Sequence, residues 1–360
     1  MMKKINFTAR NYYPDSPGGC EKVFYELYKR AKKDYNIKII SSYENKKKFP
    51  KGSDTFRKIR TKNSIIRYAY YAWNMSLKSV KNNPDLIHAN NIECIRISKK
   101  IPFILTIHHV GHFLNPEIRK QDFFTKIMGK IIVMQANNAD KVVTVSNSVK
   151  KDLILMGIKK DKIIVIPNGI DLEIFKPLKK KNKNKKFVIT HASRISPEKA
   201  QHFTINAVKK LPERIRKNIE LRIIGYVSDE EYYNKLEKNK SVKYYTNLSE
   251  KNYAEKLRES DLIVFPTMMS EGFGLTVLEA LASGAPIIAS SQASIKEAGG
   301  EICQYFKQGN EEEFIKKIIK LYANRKLRIK LSNEGVEWVK KYSWKKVYDD
   351  YTKIYEELMQ

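Results

Sequence analysis

Cysteine is scarce in this sequence and never paired. Cys20, Cys94 and Cys303 are its only three, far apart and without a C-x-x-C spacing. That argues against a disulfide framework or a cysteine zinc site and for free, mostly buried thiols. No apolar run reaches the roughly 20 residues that a membrane-spanning helix needs. The opening stretch, MMKKINFTARNYYP, carries two lysines but no apolar region of the secretory kind, so it reads as a first strand in a cytoplasmic chain. Acidic residues are also in short supply, 39 Asp and Glu against 69 Lys and Arg.

The resulting net charge is +30 over 360 residues. Such a field attracts polyanions: nucleic acid, anionic lipid or phosphorylated small molecules. A bias toward Lys, Asn and Ile that spreads cations over every exposed face would give the same total, so local clustering matters more than the sum. The hydrophobic share of 42% supplies sizeable cores. The length exceeds what one core usually serves, which predicts two domains.

Short β-branched runs alternate with amphipathic segments. INFTA, NIKIISS, DLIHAN, FILTIHH, KVVTVS and KIIVIPNG read as strands in the first half, and KFVITHAS, IELRIIG, VKYYTN, DLIVFPT and APIIAS in the second. Between them, Glu21–Lys32 places Val23, Leu27 and Ala31 on one helical face, and Asn252–Ser260 does the same with Tyr253, Ala254 and Leu257. Continuous apolar strands separated by helices predict parallel sheets covered on both faces, here two doubly wound α/β domains. The break between them is KKKNKNKK, Lys179–Lys186, which has nothing apolar to bury and reads as a solvated connector.

Four stretches carry chemistry. In SEGFGLTVLEALASGAPIIAS, Glu271 and Glu279 bracket a turn with Gly272 and Gly274, and a helix follows from about Thr276. A helix beginning there aims free N–H groups and a positive dipole end at the turn, an anion site. Carboxylates beside an anion repel it, so these two are better suited to accept hydrogen bonds from neutral hydroxyls, as of a sugar and a ribose flanking a diphosphate. Two solvated surface glutamates are the plain alternative. In HASRISPEKAQHF, Arg194 and Lys199 follow a strand at the start of a helix over Glu198–Leu211, where doubly wound sheets bind ligands. They can neutralise a diphosphate, or be two surface cations in a basic chain. In YPDSPGGCEKVFYEL, Pro17, Gly18 and Gly19 make a turn after the first strand without the G-x-G-x-x-G spacing. The turn suits close approach to a phosphate or sugar, or is simply a turn. In FILTIHHVGHF, His108, His109 and His112 cluster at a strand end, but no second group of metal ligands accompanies them. One histidine facing a ligand is the more economical account.

In this order the segments resemble one family, the retaining GT-B glycosyltransferases of the glycogen-synthase-like type, family 4. The resemblance runs through PGGCE, ADKVVTVSNSVKKDLILMGIKKDKIIVIPNGIDLEIFKP, SRISPEK with its R-x4-K spacing, EGFGLTVLE with its E-x7-E spacing, and the closing YSWKKVYDDYTKIYEEL. It covers nearly the whole chain. It implies two Rossmann-like domains facing a central cleft: residues 1–175, completed by a helix over about 344–360 that crosses back, and residues 176–343. The first would bind the acceptor and the second a nucleotide-sugar.

The resemblance also implies roles. Glu271 would bind donor-sugar hydroxyls, Glu279 the nucleotide ribose, and Arg194 with Lys199 the diphosphate. Phe273, Gly274 and Leu275 would offer backbone N–H groups, with Thr276 beside them. Gly18 and Gly19 would approach the donor from the first domain, Gly225 would lie near the base, and His108 would line the sugar pocket. The catalytic set is then Glu271, His108, Arg194 and Lys199. Two positions depart from the family pattern: Ala200 stands where glycine is common, and His109 where an acidic or small residue often follows the histidine. No D-x-D occurs in the sequence, in keeping with relatives that need no divalent metal. No cofactor is expected, and the donor is a UDP- or GDP-sugar.

Other readings predict other behaviour. A GT-B epimerase or phosphorylase would differ in its dependence on an acceptor. A nucleic-acid-binding protein would show salt-dependent binding to strands, but no basic-aromatic module of a known nucleic-acid fold is present and no nucleic-acid partner is expected. Locally, Lys46–Asn82 carries eleven Lys and Arg against Asp54 alone, with Phe49, Phe56, Tyr68, Tyr70, Tyr71 and Trp73. Ser64–Val80 reads as a helix with Ile66, Ala69, Trp73, Leu77 and Val80 on one face and Arg67, Tyr71, Asn74, Lys78 and Lys81 on the other. The apolar face is expected to pack on the first domain. The basic, aromatic segment is either solvated or a peripheral patch on the inner face of the cell membrane, beside a sugar or lipid-linked acceptor.

Overall fold

The computed structural model describes residues 2–13, 15, 18–44, 49–90, 92–114, 123–178, 186–239 and 241–360. Pro17 of the glycine turn, residues 46–48 of the basic segment and residues 179–185 of the connector lie outside them, as does the His112 side chain. The chain forms two compact units, residues 1–169 with 344–360, and residues 170–343. Residues 170–175, assigned by sequence to the first domain, belong to the second. There the Ile170 N–H donates to the Tyr342 carbonyl at 2.8 Å, and the Phe175 ring packs 6.1 Å from that of Tyr253.

The first unit holds a parallel sheet of seven strands. They are β1 (Lys4–Ala9), β2 (Asn36–Tyr43), β3 (Asp54–Arg57), β4 (Leu86–Asn90), β5 (Phe103–Ile107), β6 (Lys141–Thr144) and β7 (Ile163–Val165), in the order β3-β2-β1-β4-β5-β6-β7. The second holds six: β8 (Phe187–Ala192), β9 (Ile219–Ile224), β10 (Val242–Tyr245), β11 (Leu262–Phe265), β12 (Ile287–Ser290) and β13 (Gln304–Phe306), in the order β10-β9-β8-β11-β12-β13. Every residue of β4, β5, β11 and β12 is buried, as apolar runs without alternation require when helices cover both faces. Each sheet reverses its winding once, between β1 and β4 and between β8 and β11. The loops leaving the carboxyl ends at such a switch point are where this architecture binds ligands.

The helix Trp344–Leu358 closes the first core. The Tyr355 hydroxyl meets His88 Nδ1 at 2.8 Å, the Tyr348 hydroxyl donates to Asp34 at 2.6 Å, and Lys141 pairs with Glu357 at 2.7 Å.

Two expected helices are corrected. The span Glu198–Leu211 is broken: a 3₁₀ turn over Pro197–Lys199 ends at Ala200, which sits in the left-handed region at φ 59°, and the α-helix runs Gln201–Lys209. The helix Ser64–Ser79 forms, but with its faces exchanged. Tyr71, Ala72, Met75, Ser76 and Ser79 are buried, whereas Ile66, Trp73 and Leu77 are exposed. The reason is close packing on the sheet. Asn6 of β1 donates to the Ser79 carbonyl at 2.7 Å, and the Ile95 N–H donates to the Ser76 hydroxyl at 2.9 Å. Small side chains permit that approach and a tryptophan does not.

Candidate functional site

The loop after β8 carries Arg194 and Lys199, and the loop after β11 carries Glu271, so the second sheet's switch point brings together residues far apart in sequence. The Lys199 ammonium donates to Glu271 Oε1, and its nitrogen lies 5.3 Å from the centroid of the Phe265 ring. The Thr267 hydroxyl donates to the same carboxylate oxygen at 2.8 Å. Among the described residues no hydrogen bond reaches Glu271 Oε2, which leaves that oxygen able to accept from a ligand hydroxyl. The backbone of Glu271 is pinned on both sides: its N–H donates to Gln292 Oε1 at 3.0 Å, and its carbonyl accepts from the Ser294 hydroxyl at 2.7 Å.

Arg194 lies on the same loop. Its Nη2 donates to Glu198 Oε1 at 2.5 Å and points toward the Met269 sulfur at 3.7 Å. The Met268 N–H donates to the Glu198 carbonyl at 2.8 Å, which ties the two loops together. Both expected phosphate-binding cations therefore already hold a carboxylate partner. Buried Gln201 braces the first loop, donating to the Arg194 carbonyl at 2.8 Å and to the Ser193 hydroxyl at 3.0 Å.

Gly274 takes φ 94° as the residue capping the helix Leu275–Ala282, a helix without a side-chain N-cap. Phe273 is buried, its ring edge-on to Tyr342 with centroids 5.5 Å apart. Leu275 and Thr276 open the helix at the mouth of the turn. Glu279 is buried one turn on and accepts from the Tyr253 hydroxyl at 2.8 Å. Burial and the neighbouring Glu279 carboxylate push the Tyr253 hydroxyl well above its ordinary pKa, so it acts as a donor. Gly225, expected near the base, has a backbone duty: a Cβ there would stand 1.8 Å from the Ser193 carbonyl oxygen.

Gly18, Gly19 and His108 belong to the first unit. Gly18 is the N-cap and Gly19 the first residue of the helix Gly19–Ala31, while Glu21 accepts from Asn11 at 3.2 Å. His108 is only 6% exposed, and its Nε2 meets Asn90 Oδ1 at 2.6 Å. Near the switch point of this sheet lies a cavity of about 150 Å³ lined by Arg10, Arg67, Tyr68, Tyr71 and Glu93. The Arg10 guanidinium sits over the Tyr71 ring at 4.9 Å and 3.6 Å from Glu93, whose carboxyl is pushed up by burial. Sequence reading missed Thr267, Gln292, Ser294 and Tyr253. Thr267, Gln292 and Ser294 stand just past strand ends, which is the one signal they carried.

Three histidines are held neutral by burial. His88, His108 and His191 have pKa values lowered to about 3, 4 and 3 from 6.5. Below pH 6.5 the unfolded chain takes up protons that the fold refuses, so stability falls with acid until the folded values are reached. Between pH 7 and pH 5 each histidine is expected to cost about 2 kcal/mol of unfolding free energy. Urea titrations at both pH values check this, and a flatter response in His191→Asn should report the second unit's share.

Ala200 allows another check. Its left-handed φ of 59° strains any residue with a Cβ. Ala200→Gly should stabilise the second unit by about 0.5–1 kcal/mol, and a loss in urea unfolding would refute that account.

Two parallel, doubly wound sheets of this order, with polar loops gathered at the switch points, define the GT-B class of glycosyltransferase. The family profile described as Glycosyl transferases group 1 matches residues 173–338, and that described as Glycosyltransferase Family 4 matches residues 17–174. The chain belongs to the group 1 glycosyltransferases. It is 27% identical over 367 residues to an uncharacterized glycosyltransferase of Methanocaldococcus jannaschii, covering 96% of each chain. Anabaena HepE in complex with UDP and glucose superposes with a TM-score of 0.80 at 17% identity, over 99% of this chain and 100% of that one. Sucrose-phosphate synthase from Thermosynechococcus elongatus gives 0.83 at 16% identity, over 99% of each. Among the described residues no helix is long and apolar enough to cross a membrane.

Proposed function

We propose that this glycosyltransferase moves a sugar from a UDP- or GDP-sugar to an acceptor hydroxyl, with retention at the anomeric carbon, in the assembly of a glycolipid, polysaccharide or other glycan. The observation that carries the reading is the pairing of Lys199 with Glu271 at the second sheet's switch point. It sets a cation for phosphate beside a carboxylate with one oxygen left for sugar hydroxyls. That the Anabaena neighbour was crystallised with UDP and glucose supports a nucleotide-sugar donor.

The chemical task is to stabilise negative charge on the departing diphosphate. Arg194, Lys199 and the helix start at Gly274 supply positive potential there, so no metal ion is needed and activity should survive EDTA. Glu271 Oε2 accepts from donor-sugar hydroxyls and aligns the anomeric carbon. Glu279 accepts from the ribose, with Tyr253 holding its other side. The backbone at Phe273, Gly274 and Leu275 contributes N–H groups to phosphate and sugar, with Thr276 beside them, and Gly225 lies by the base. Gly18, Gly19 and His108 serve from the first unit, where the acceptor binds. Proton transfer from the acceptor to the leaving phosphate on the same face gives retention without a protein nucleophile.

Calorimetry with UDP and GDP tests the nucleotide half of this assignment. Glu279→Ala should weaken binding of one of them by roughly 1.5–3 kcal/mol with little change in kcat at saturating donor. Binding of neither nucleotide by the parent would sink the reading. Unchanged affinity in the variant would move the ribose site elsewhere.

A further inference from the structure

The outward face of the helix Ser64–Ser79 has no covering partner among the described residues. Trp73 is 69% exposed, and Ile65, Ile66 and Leu77 are exposed with it. Ile66, Ala69, Trp73 and Leu77 recur at helical spacing and make one stripe along the helix. Exposed Lys62 lies just before the helix and exposed Lys81 just after it.

The stripe does not stand alone. Twelve large apolar side chains are exposed among the described residues, and four of them lie on this one helix. Ile97 and Met134 are exposed on the segments that bond the inward side of this helix, through Ile95 to Ser76 at 2.9 Å and through Gln135 to the Tyr68 hydroxyl at 2.7 Å. On the helix Phe123–Asn138, Lys126, Lys130 and Met134 are exposed at successive four-residue intervals. Exposed Lys99 and Lys100 follow Ile97. Neither helix contains a single Asp or Glu.

Apolar side chains that would cost little to expose singly are here four on one helix, with exposed Lys62 and Lys81 before and after it and no acidic residue in it; its Lys78 pairs inward with Asp54. A second copy of this chain would bring the same cations and a net +30 of its own, so self-association is opposed electrostatically. What complements the face is an anionic sheet with an apolar interior. We infer that the helix Ser64–Ser79 lies in the plane of an anionic lipid bilayer, with Trp73, Ile66 and Leu77 inserted at the headgroup boundary and Lys62 and Lys81 over phosphates. Indole is suited to that depth, having an apolar body and a polar N–H. The buried side of the same helix supplies Arg67, Tyr68 and Tyr71 to the first unit's cavity. A bilayer on one side of the helix thus stands one helix diameter from a cavity of mixed lining, with Arg10 and Glu93 beside Phe113 and Met128, which suits an acceptor with a lipid tail.

The test is cosedimentation of the whole chain with phosphatidylcholine vesicles, with and without phosphatidylglycerol, at low and high salt. Binding is expected only to the anionic vesicles, weaker at high salt, and with a blue shift of tryptophan emission that Trp73→Ser abolishes. Lys62→Ala with Lys81→Ala should lower partitioning roughly twenty-five-fold, about fivefold for each lysine. Ile66→Ser with Leu77→Ser should lower it at least about tenfold. All these positions are exposed, so thermal unfolding should stay unchanged. UDP or GDP affinity should stay unchanged too, which keeps this result separate from the donor assignment. Parent-like binding by Trp73→Ser, no binding to anionic vesicles, or a dimer in sedimentation velocity that Trp73→Ser dissolves would each overturn the inference.

Discussion

Replacing Glu271 by alanine should lower kcat roughly a hundredfold at saturating donor, the loss expected when a reacting group is no longer held in line. The geometry makes the result more specific than a lost hydrogen bond. Lys199 and Thr267 both donate to Oε1, and Gln292 and Ser294 pin the backbone, so the carboxylate is oriented before a ligand arrives. Removing it also strands the buried Lys199 ammonium, which then has to find a phosphate or water. Folded stability should therefore fall alongside turnover. Glu271→Gln separates the two effects, because the amide can still accept from Thr267 but no longer balances the Lys199 charge. Turnover with an identified donor and acceptor, together with urea unfolding, decides the matter. Near-parental kcat in Glu271→Ala would remove this residue from the reaction. A double-mutant cycle with Lys199→Ala should show strong non-additivity, as expected for two groups in contact.

Gly225→Ala should be the most damaging single-methyl change tested in the second unit, costing more than about 3 kcal/mol of unfolding free energy. The new Cβ would lie 1.8 Å from the Ser193 carbonyl oxygen and 3.1 Å from the Arg194 nitrogen. Those are backbone atoms, held by the Ser193 N–H bond to the Ile224 carbonyl at 2.9 Å and the Ile195 N–H bond to the Tyr226 carbonyl at 2.8 Å. No side chain can swing away to make room. The control is Gly309→Ala, where φ is 78° but nothing lies within 4 Å, so only the left-handed strain of about 1–2 kcal/mol should appear. Equal losses at the two positions would show that strain, and not the close approach, accounts for the glycine. Because the displaced loop carries Arg194, any Gly225→Ala protein that folds should also bind nucleotide more weakly.

Several features were legible in the sequence for physical reasons. The strands FILTI and LIVF read as buried because parallel strands covered on both faces cannot alternate. Arg194, Lys199 and Glu271 stood out because the short loops after strands are where doubly wound sheets bind ligands, and the structure sets all three in such loops, with Glu279 in the helix that follows. Residues that act through contacts made across the sheet left weaker traces. Tyr253 sits on a helix that reads as an ordinary amphipathic segment, yet its hydroxyl holds Glu279. Gln292 follows β12 and reaches back to Glu271 across 21 positions.

By itself the sequence determined the two doubly wound domains and eleven of the thirteen described strands, because period and burial are local properties; the short edge strands β3 and β13 carry no long apolar run and went unread. Only the tertiary structure decided how the residues at the second switch point pair. Lys199 was expected to face phosphate and is joined to Glu271, while Arg194 is joined to Glu198. It also decided which side of the helix Ser64–Ser79 lies inward. Counting apolar residues chose the side with Trp73, but the helix meets β1 where Asn6 bonds the Ser79 carbonyl, and its inward face there carries Ser76 and Ser79 beside Ala72, Met75 and Tyr71. Steric fit against a neighbouring sheet is not written in any one segment, so the tryptophan went outside.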